Sequence, residues 1–286
     1  MARNTQAKAL VKAARQLMAE ERSLLLLPVL GTLLALVFGA ALGIPAYLLL
    51  ASTHFNFHLH QGNILEALLF APATIASTFA VILCNSAIAI AAGERLRTGQ
   101  HLKVSEALSK AWAKRMLILK WSVLSTAVGI ALEQLRRFGL AGRIAAMIGS
   151  LAWGVAVFFV VPVLVFENLD PIQAVERSAK LFANRFGQVA RSQVRISVRV
   201  FGLAMLTLVA FLVSASVSAG FASGAQPNLA VSYAAGGVAV ASIFAFFYLI
   251  IWSSTITSYL RTILYFYAAD QEMPQLGVDM SQVFAN

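Results

Sequence analysis

Residues 162–187 read PVLVFENLDPIQAVERSAKLFANRFG, and the interpretation of this stretch decides the fold. It begins as the end of an apolar run, meets Glu167, turns at Asp170-Pro171 and restarts as a helix. Asp170 suits the N-cap because its carboxylate accepts from backbone N–H groups that have no partner within the helix. Pro171 suits the first helical position, where no N–H is needed, and Gln173 completes a spacing like that of a capping box. Ile172, Val175, Ala179, Phe182 and Phe186 step by three and four, which predicts one apolar face. Glu176, Arg177, Lys180 and Asn184 fall on other faces, and Gly187 suits the stop. The stretch is therefore the end of a membrane span followed by a short amphipathic helix.

Composition supports a membrane chain throughout. Of 286 residues 59% are hydrophobic and 12% charged, whereas soluble domains carry about 25% charged residues. Several apolar runs exceed the roughly 18–20 residues needed to cross a bilayer as helix. The net charge of +10 fits positive-inside bias and attraction to anionic lipid. Without an RNA-binding motif, or a basic groove interleaved with exposed aromatics, no nucleic-acid partner is expected. Cys84 is the single cysteine and falls within a span, which rules out an internal disulfide. The first apolar run starts after residue 22 and is too long for the core of a signal peptide, so no removable leader is expected.

The expected fold class is all-α: a polytopic membrane bundle of six transmembrane helices with cytoplasmic amphipathic helices. Residues 1–23 form a basic amphipathic N-terminal helix, with Ala7, Leu10, Val11, Ala14, Leu17 and Met18 opposite Lys8, Lys12, Arg15 and Arg22. The membrane domain covers residues 24–268, with spans at about 24–50, 65–92, 116–132, 144–166, 200–221 and 238–260. Interfacial helices are expected at about 104–115 and 171–186, and residues 269–286 form a short tail. Ser105 is the expected cap of the first interfacial helix, whose apolar face holds Val104, Leu108, Ala111 and Trp112. Gly39 and Gly43 form a small-xxx-small pair that permits close helix contact.

The third span is short and holds Lys120, and the charges decide whether it crosses. If it does, the six positive residues from Arg177 to Arg199 fall inside, leaving only Arg136, Arg137 and Arg143 outside. Six spans with both termini cytoplasmic in the plasma (inner) membrane follow. A 67-residue shift lays Glu106-Ala107-Leu108-Ser109-Lys110-Ala111 over Gln173-Ala174-Val175-Glu176-Arg177-Ser178, which suggests an internal duplication.

Pro162-Val-Leu-x-x-Glu167, then Pro171, Ala174, Arg177-Ser178 and Leu181, resembles a family of uncharacterised bacterial and archaeal six-helix integral membrane proteins, a domain of unknown function. Trp121 with Ala127-Val128-Gly129, and Trp153, fit the same resemblance, which extends over most of the chain. Relatives are expected to carry Trp before the glycine where this chain has Phe186. The resemblance implies a fold and a membrane location, and no activity, substrate or catalytic residue.

Three chemistries have candidate residues. The guanidinium row Arg191, Arg195 and Arg199, with Arg185, Lys110, Lys114 and Arg115, suits lipid phosphates through charge-assisted hydrogen bonds. Generic orientation charge, or pairing with Glu94 or Glu167, is the structural alternative. A polar path would use Asn85, Ser86, Lys120, Ser254 and Ser258, residues that equally serve helix packing. His54, His58 and His60 are weak metal candidates at a spacing that matches no recognised site, so no metal and no cofactor is expected.

No catalytic residue is expected. No span holds a histidine for an intramembrane serine protease, and Asp170, Asp270 and Asp279 all lie outside the spans. The expectation is a non-enzymatic membrane protein that engages anionic lipid or partner proteins at the cytoplasmic leaflet, with a small-solute transporter or channel as the alternative. Small residues along the spans leave room for a homo-oligomer or a membrane-protein partner.

Overall fold

The computed structural model describes residues 22–52, 64–186, 190–223 and 228–270, among which every regular element is a helix. A 3-10 turn at Arg22–Leu25 leads into α1 (Leu26–Ser52). There follow α2 (Ile64–Thr98), α3 (Val104–Ala113), α4 (Arg115–Leu135), α5 (Gly139–Ala156), α6 (Val160–Phe166), α7 (Pro171–Phe186), α8 (Ala190–Ser223) and α9 (Leu229–Ala268). Five stretches of the described residues are long and apolar enough to cross a membrane: Ser23–Ser52, Glu66–Thr98, Arg115–Leu135, Gly139–Phe166 and Leu229–Ala268. The apolar Met205–Phe221 is shorter. The basic N-terminal segment up to residue 21, HFNFHLH and the tail beyond residue 270 lie outside the described residues. The chain divides into two compact units, Met1–Phe186 with Thr255–Asn286, and Gly187–Ser254.

In the larger unit, α1 and α2 pair where small side chains let their backbones approach. A Cβ at Gly31 would stand 3.0 Å from Cys84 Cβ, and one at Gly39 3.2 Å from Ser77 Oγ. Ser77 Oγ donates to the Ala35 carbonyl at 2.8 Å. Gly31 is the tightest of these contacts and stands outside the Gly39/Gly43 pair. Early in α2, Ile64, Leu68 and Val81 are exposed, as lipid-facing residues are. From Leu83 to Leu96 the helix is enclosed by protein, with Leu83, Cys84, Ala87, Ile88, Ile90, Ala91, Ala92 and Leu96 all buried. One apolar helix therefore meets two solvents.

Helix α3 folds back along the enclosed half of α2, burying Ala107 and Ala111. Its first helical residue is Val104, so Ser105 lies within the helix and does not cap it. The Glu106 carboxylate serves instead, accepting from the Lys103 N–H at 3.3 Å, as an acidic residue three places into a helix can.

The third expected span is a helix, longer at Arg115–Leu135 than the 116–132 predicted. The fourth, predicted as one run over 144–166, is two helices broken at Val157–Phe159. Pro162 explains the break: it has no N–H for the Phe158 carbonyl, and its ring would clash there in a continuous helix. The freed Phe159 N–H donates to Ser178 Oγ at 2.9 Å. This bond helps set the rotation of α7, which buries Pro171, Ala174, Ser178 and Leu181. Ile172, predicted on the apolar face, is 74% exposed to the surroundings of the protein. Periodicity sets the spacing of apolar residues, while neighbours select which stripe is covered.

In the smaller unit, residues 191, 195 and 199 share one continuous helix with the expected fifth span. The sixth, predicted at 238–260, belongs to a 40-residue helix that starts at Leu229. Ser218 and Ser232 clasp α8 to α9, each hydroxyl donating to the other residue's carbonyl at 2.9 Å.

Candidate functional site: the basic end of the larger unit

Between Glu94 and Lys120 the chain carries seven basic residues against two acidic ones. Helices α2, α3, α4, α6 and α7, with the end of α9, bring these charges to one end of the unit through specific pairs. Lys110 Nζ reaches Glu94 Oε1 at 2.7 Å, joining α3 to α2. Lys120 Nζ reaches Asp170 Oδ1 at 2.7 Å, joining α4 to the turn before α7. Lys114 Nζ donates to Asn168 Oδ1 in that same turn. Asn168 has φ 55°, a left-handed conformation that asparagine tolerates better than most residues.

The best-connected group is Glu167. Its two oxygens accept from Arg177 Nε at 3.2 and 3.1 Å, and the Tyr265 hydroxyl donates to Oε1 at 3.0 Å. The carboxylate is 23% exposed and the arginine 42%. Around it the rings of Phe166 and Tyr265 stack, and the Arg97 guanidinium sits over Phe166 and Phe266 at 5.2 and 4.7 Å. A carboxylate held by a guanidinium and a phenol ties α6, α7 and α9 together. This is the geometry of a clamp, with its acceptor oxygens already engaged.

The two fold-back helices use matching positions. Ala107 and Ala174, then Ala111 and Ser178, are each fully buried. Lys110 and Arg177, also 67 positions apart, each bond a glutamate near the end of the helix that precedes the fold-back. On the outer face of α7, the Lys180 ammonium beside Glu176 holds that carboxyl below its ordinary range. This exposed pair contributes little to stability.

Of the lipid-headgroup candidates, Lys110 and Lys114 already have protein partners. Arg115 lies 5.8 Å over the Trp112 ring and donates to the Trp112 carbonyl at 3.4 Å. Arg185 falls in the last turn of α7, and Arg191, Arg195 and Arg199 in α8, with side chains outside the described ones. Of the polar-path candidates, Asn85 and Ser258 come together, the serine donating to Oδ1 at 3.4 Å. Ser86 is buried beside them in α2, Lys120 stands apart at Asp170, and half-buried Ser254 belongs to the other unit. His54, His58 and His60 lie outside the described residues. Among the described residues no group of three potential ligands could hold a metal ion.

Sequence reasoning passed over Gly93, and it named Ser178 and placed Tyr265 at the cytoplasmic boundary without giving either a bonding partner. A Cβ at Gly93 would stand 2.5 Å from Phe166 Cζ. The 67-residue offset already aligned Arg177 with Lys110, while nothing in the sequence joined Tyr265 to Glu167, 98 positions away.

Residues 65–274 match the model of a family described as a family of unknown function (DUF6159). No curated protein and no solved structure matches the chain.

Proposed function

We propose that this chain, which belongs to the family of unknown function DUF6159 over residues 65–274, is a non-enzymatic integral membrane protein that engages anionic lipid at the cytoplasmic leaflet. It crosses the plasma (inner) membrane six times with both termini cytoplasmic, the fifth crossing being made by α8 and the sixth by α9. The observation that carries this reading is the charge balance. The carboxylates Glu94, Glu167 and Asp170 are each already bonded to a cation, and basic residues remain in excess around them. A surplus of this sign attracts the anionic inner leaflet. The matched burial of the two fold-back helices supports an internal duplication, α2–α3 repeated as α5–α7.

Native mass spectrometry of protein released gently from its membrane tests the reading, since it reports subunit number and retained lipid together. The wild type is expected to carry anionic lipid that is lost when Arg191, Arg195 and Arg199 are all changed to glutamine. Retention unchanged in that variant would make the row a set of topology charges.

The bond between Asn85 and Ser258 favours a second reading, a small-solute path along α2 and α9. In proteoliposomes Asn85→Phe would then cut flux at least tenfold and leave lipid retention alone. Equal flux in both proteins would rule the path out.

A further inference from the structure

The lengths of the helices say where the bilayer ends. Helix α2 has 35 residues and so measures about 52 Å at 1.5 Å per residue. A hydrocarbon core of about 30 Å holds roughly 26 residues even at a tilt near 40°, the upper end of the usual range. At least one end of α2 must therefore leave the lipid. The enclosed stretch from Leu83 to Leu96 identifies it as the C-terminal end. Residues 64–82, before the enclosed stretch begins, cover about 28 Å, close to one bilayer core, and Phe79 stands in the last turn of that length. Trp112 packs edge-on against Phe79 at 6.2 Å, which places the elbow between α3 and α4 at that same level.

The elbow has the composition of a lipid-headgroup site. Trp112 is 51% exposed, and below it Met116, Leu119 and Val123 form an exposed apolar stripe at helical spacing along α4. Two cations nearby are engaged, Lys114 with Asn168 and Lys120 with Asp170. Among the described residues Arg115 is bonded only to the carbonyl and ring of Trp112, one turn before it. Its remaining donors are suited to a phosphate in the fork geometry that lysine lacks.

We infer that the elbow binds the phosphate of an anionic phospholipid. Arg115 holds the headgroup over the Trp112 ring, and the acyl chain lies on Met116, Leu119 and Val123. This deepens the lipid reading above and rests on it only for the side of the membrane. The occupant is a lipid because the cation tops an exposed apolar stripe about 10 Å long, from Met116 to Val123, which suits the upper part of an acyl chain.

The full-length protein is titrated with phosphatidylglycerol and, separately, phosphatidylcholine, and bound lipid is read by native mass spectrometry. Arg115→Gln is expected to weaken phosphatidylglycerol binding at one site about tenfold or more, a charge-assisted hydrogen bond's share. Arg115→Lys is expected to fall between the two. Arg137→Gln, an exposed charge beyond the far end of α4, is the control and keeps the lipid. Wild-type binding in Arg115→Gln, or equal affinity for the zwitterionic lipid, overturns the site. So does displacement of the lipid by millimolar inorganic phosphate, which would make it a soluble-anion site. Failure here with loss in the triple-arginine variant leaves the general reading standing, and the reverse pattern moves the lipid from the arginine row to the elbow.

Discussion

Glu167→Ala is expected to lower the stability of the detergent-solubilised protein by about 2–3 kcal/mol, the range for charged hydrogen bonds and an unsatisfied buried group. The substitution strips Arg177 of its carboxylate and leaves the Tyr265 hydroxyl, on a fully buried side chain, without its acceptor. Three helices are loosened at once, because Glu167 ends α6, Arg177 is on α7 and Tyr265 is on α9. Glu167→Gln keeps an acceptor for the phenol and is expected to cost less. Tyr265→Phe removes one bond together with the need for it, and is expected to cost about 1 kcal/mol. Thermal unfolding of the single and double variants gives the coupling directly. The comparison is Glu176→Ala, which removes only the exposed pair with Lys180 and should leave stability close to that of the wild type. If Glu167→Ala costs no more than Glu176→Ala, the clamp contributes nothing beyond a surface pair.

The second large effect is steric. Gly142→Ala would place a methyl group 2.2 Å from the Leu135 carbonyl oxygen and 2.8 Å from Phe138 Cβ. The first of these is backbone, so no side-chain rotation relieves it, and the turn between α4 and α5 has to open. Overpacking of this kind costs about 1–3 kcal/mol, and a backbone collision lies at the upper end. The turn is tight, closed by Phe138 N–H to the Leu135 carbonyl at 3.2 Å, with Gly139 at φ 65°. Gly129→Ala is the contrasting substitution within α4, where nothing lies within 4 Å of the new methyl. There the gain in helix propensity, up to about 1 kcal/mol, should show as neutral or slightly raised stability. Equal melting temperatures for the two variants would mean that the turn does not take the described geometry.

Much of this protein follows from composition and period alone. Apolar runs too long for a soluble core dictate membrane helices, because lipid leaves backbone N–H and C=O groups no partner outside the helix. The helix at 171–186 is legible residue by residue, since Asp170, Pro171 and the three-and-four spacing all act within one or two turns. The offset that aligns Lys110 with Arg177 is legible too, and each of these cations bonds a glutamate that precedes its helix. Tertiary structure decided whatever depends on distant neighbours. Ile172 and Ala174 are equally apolar to a periodicity count, and only the Phe159–Ser178 bond and the packing around it select the buried stripe. The second half of α2 and helix α6 have the hydropathy of spans, yet protein covers them. A hydrophobic side chain leaves water equally for lipid or for another helix, so hydropathy reports only that it leaves. Which apolar surroundings receive it is set by contacts such as Tyr265 on Glu167, which join parts of the chain that no local pattern connects.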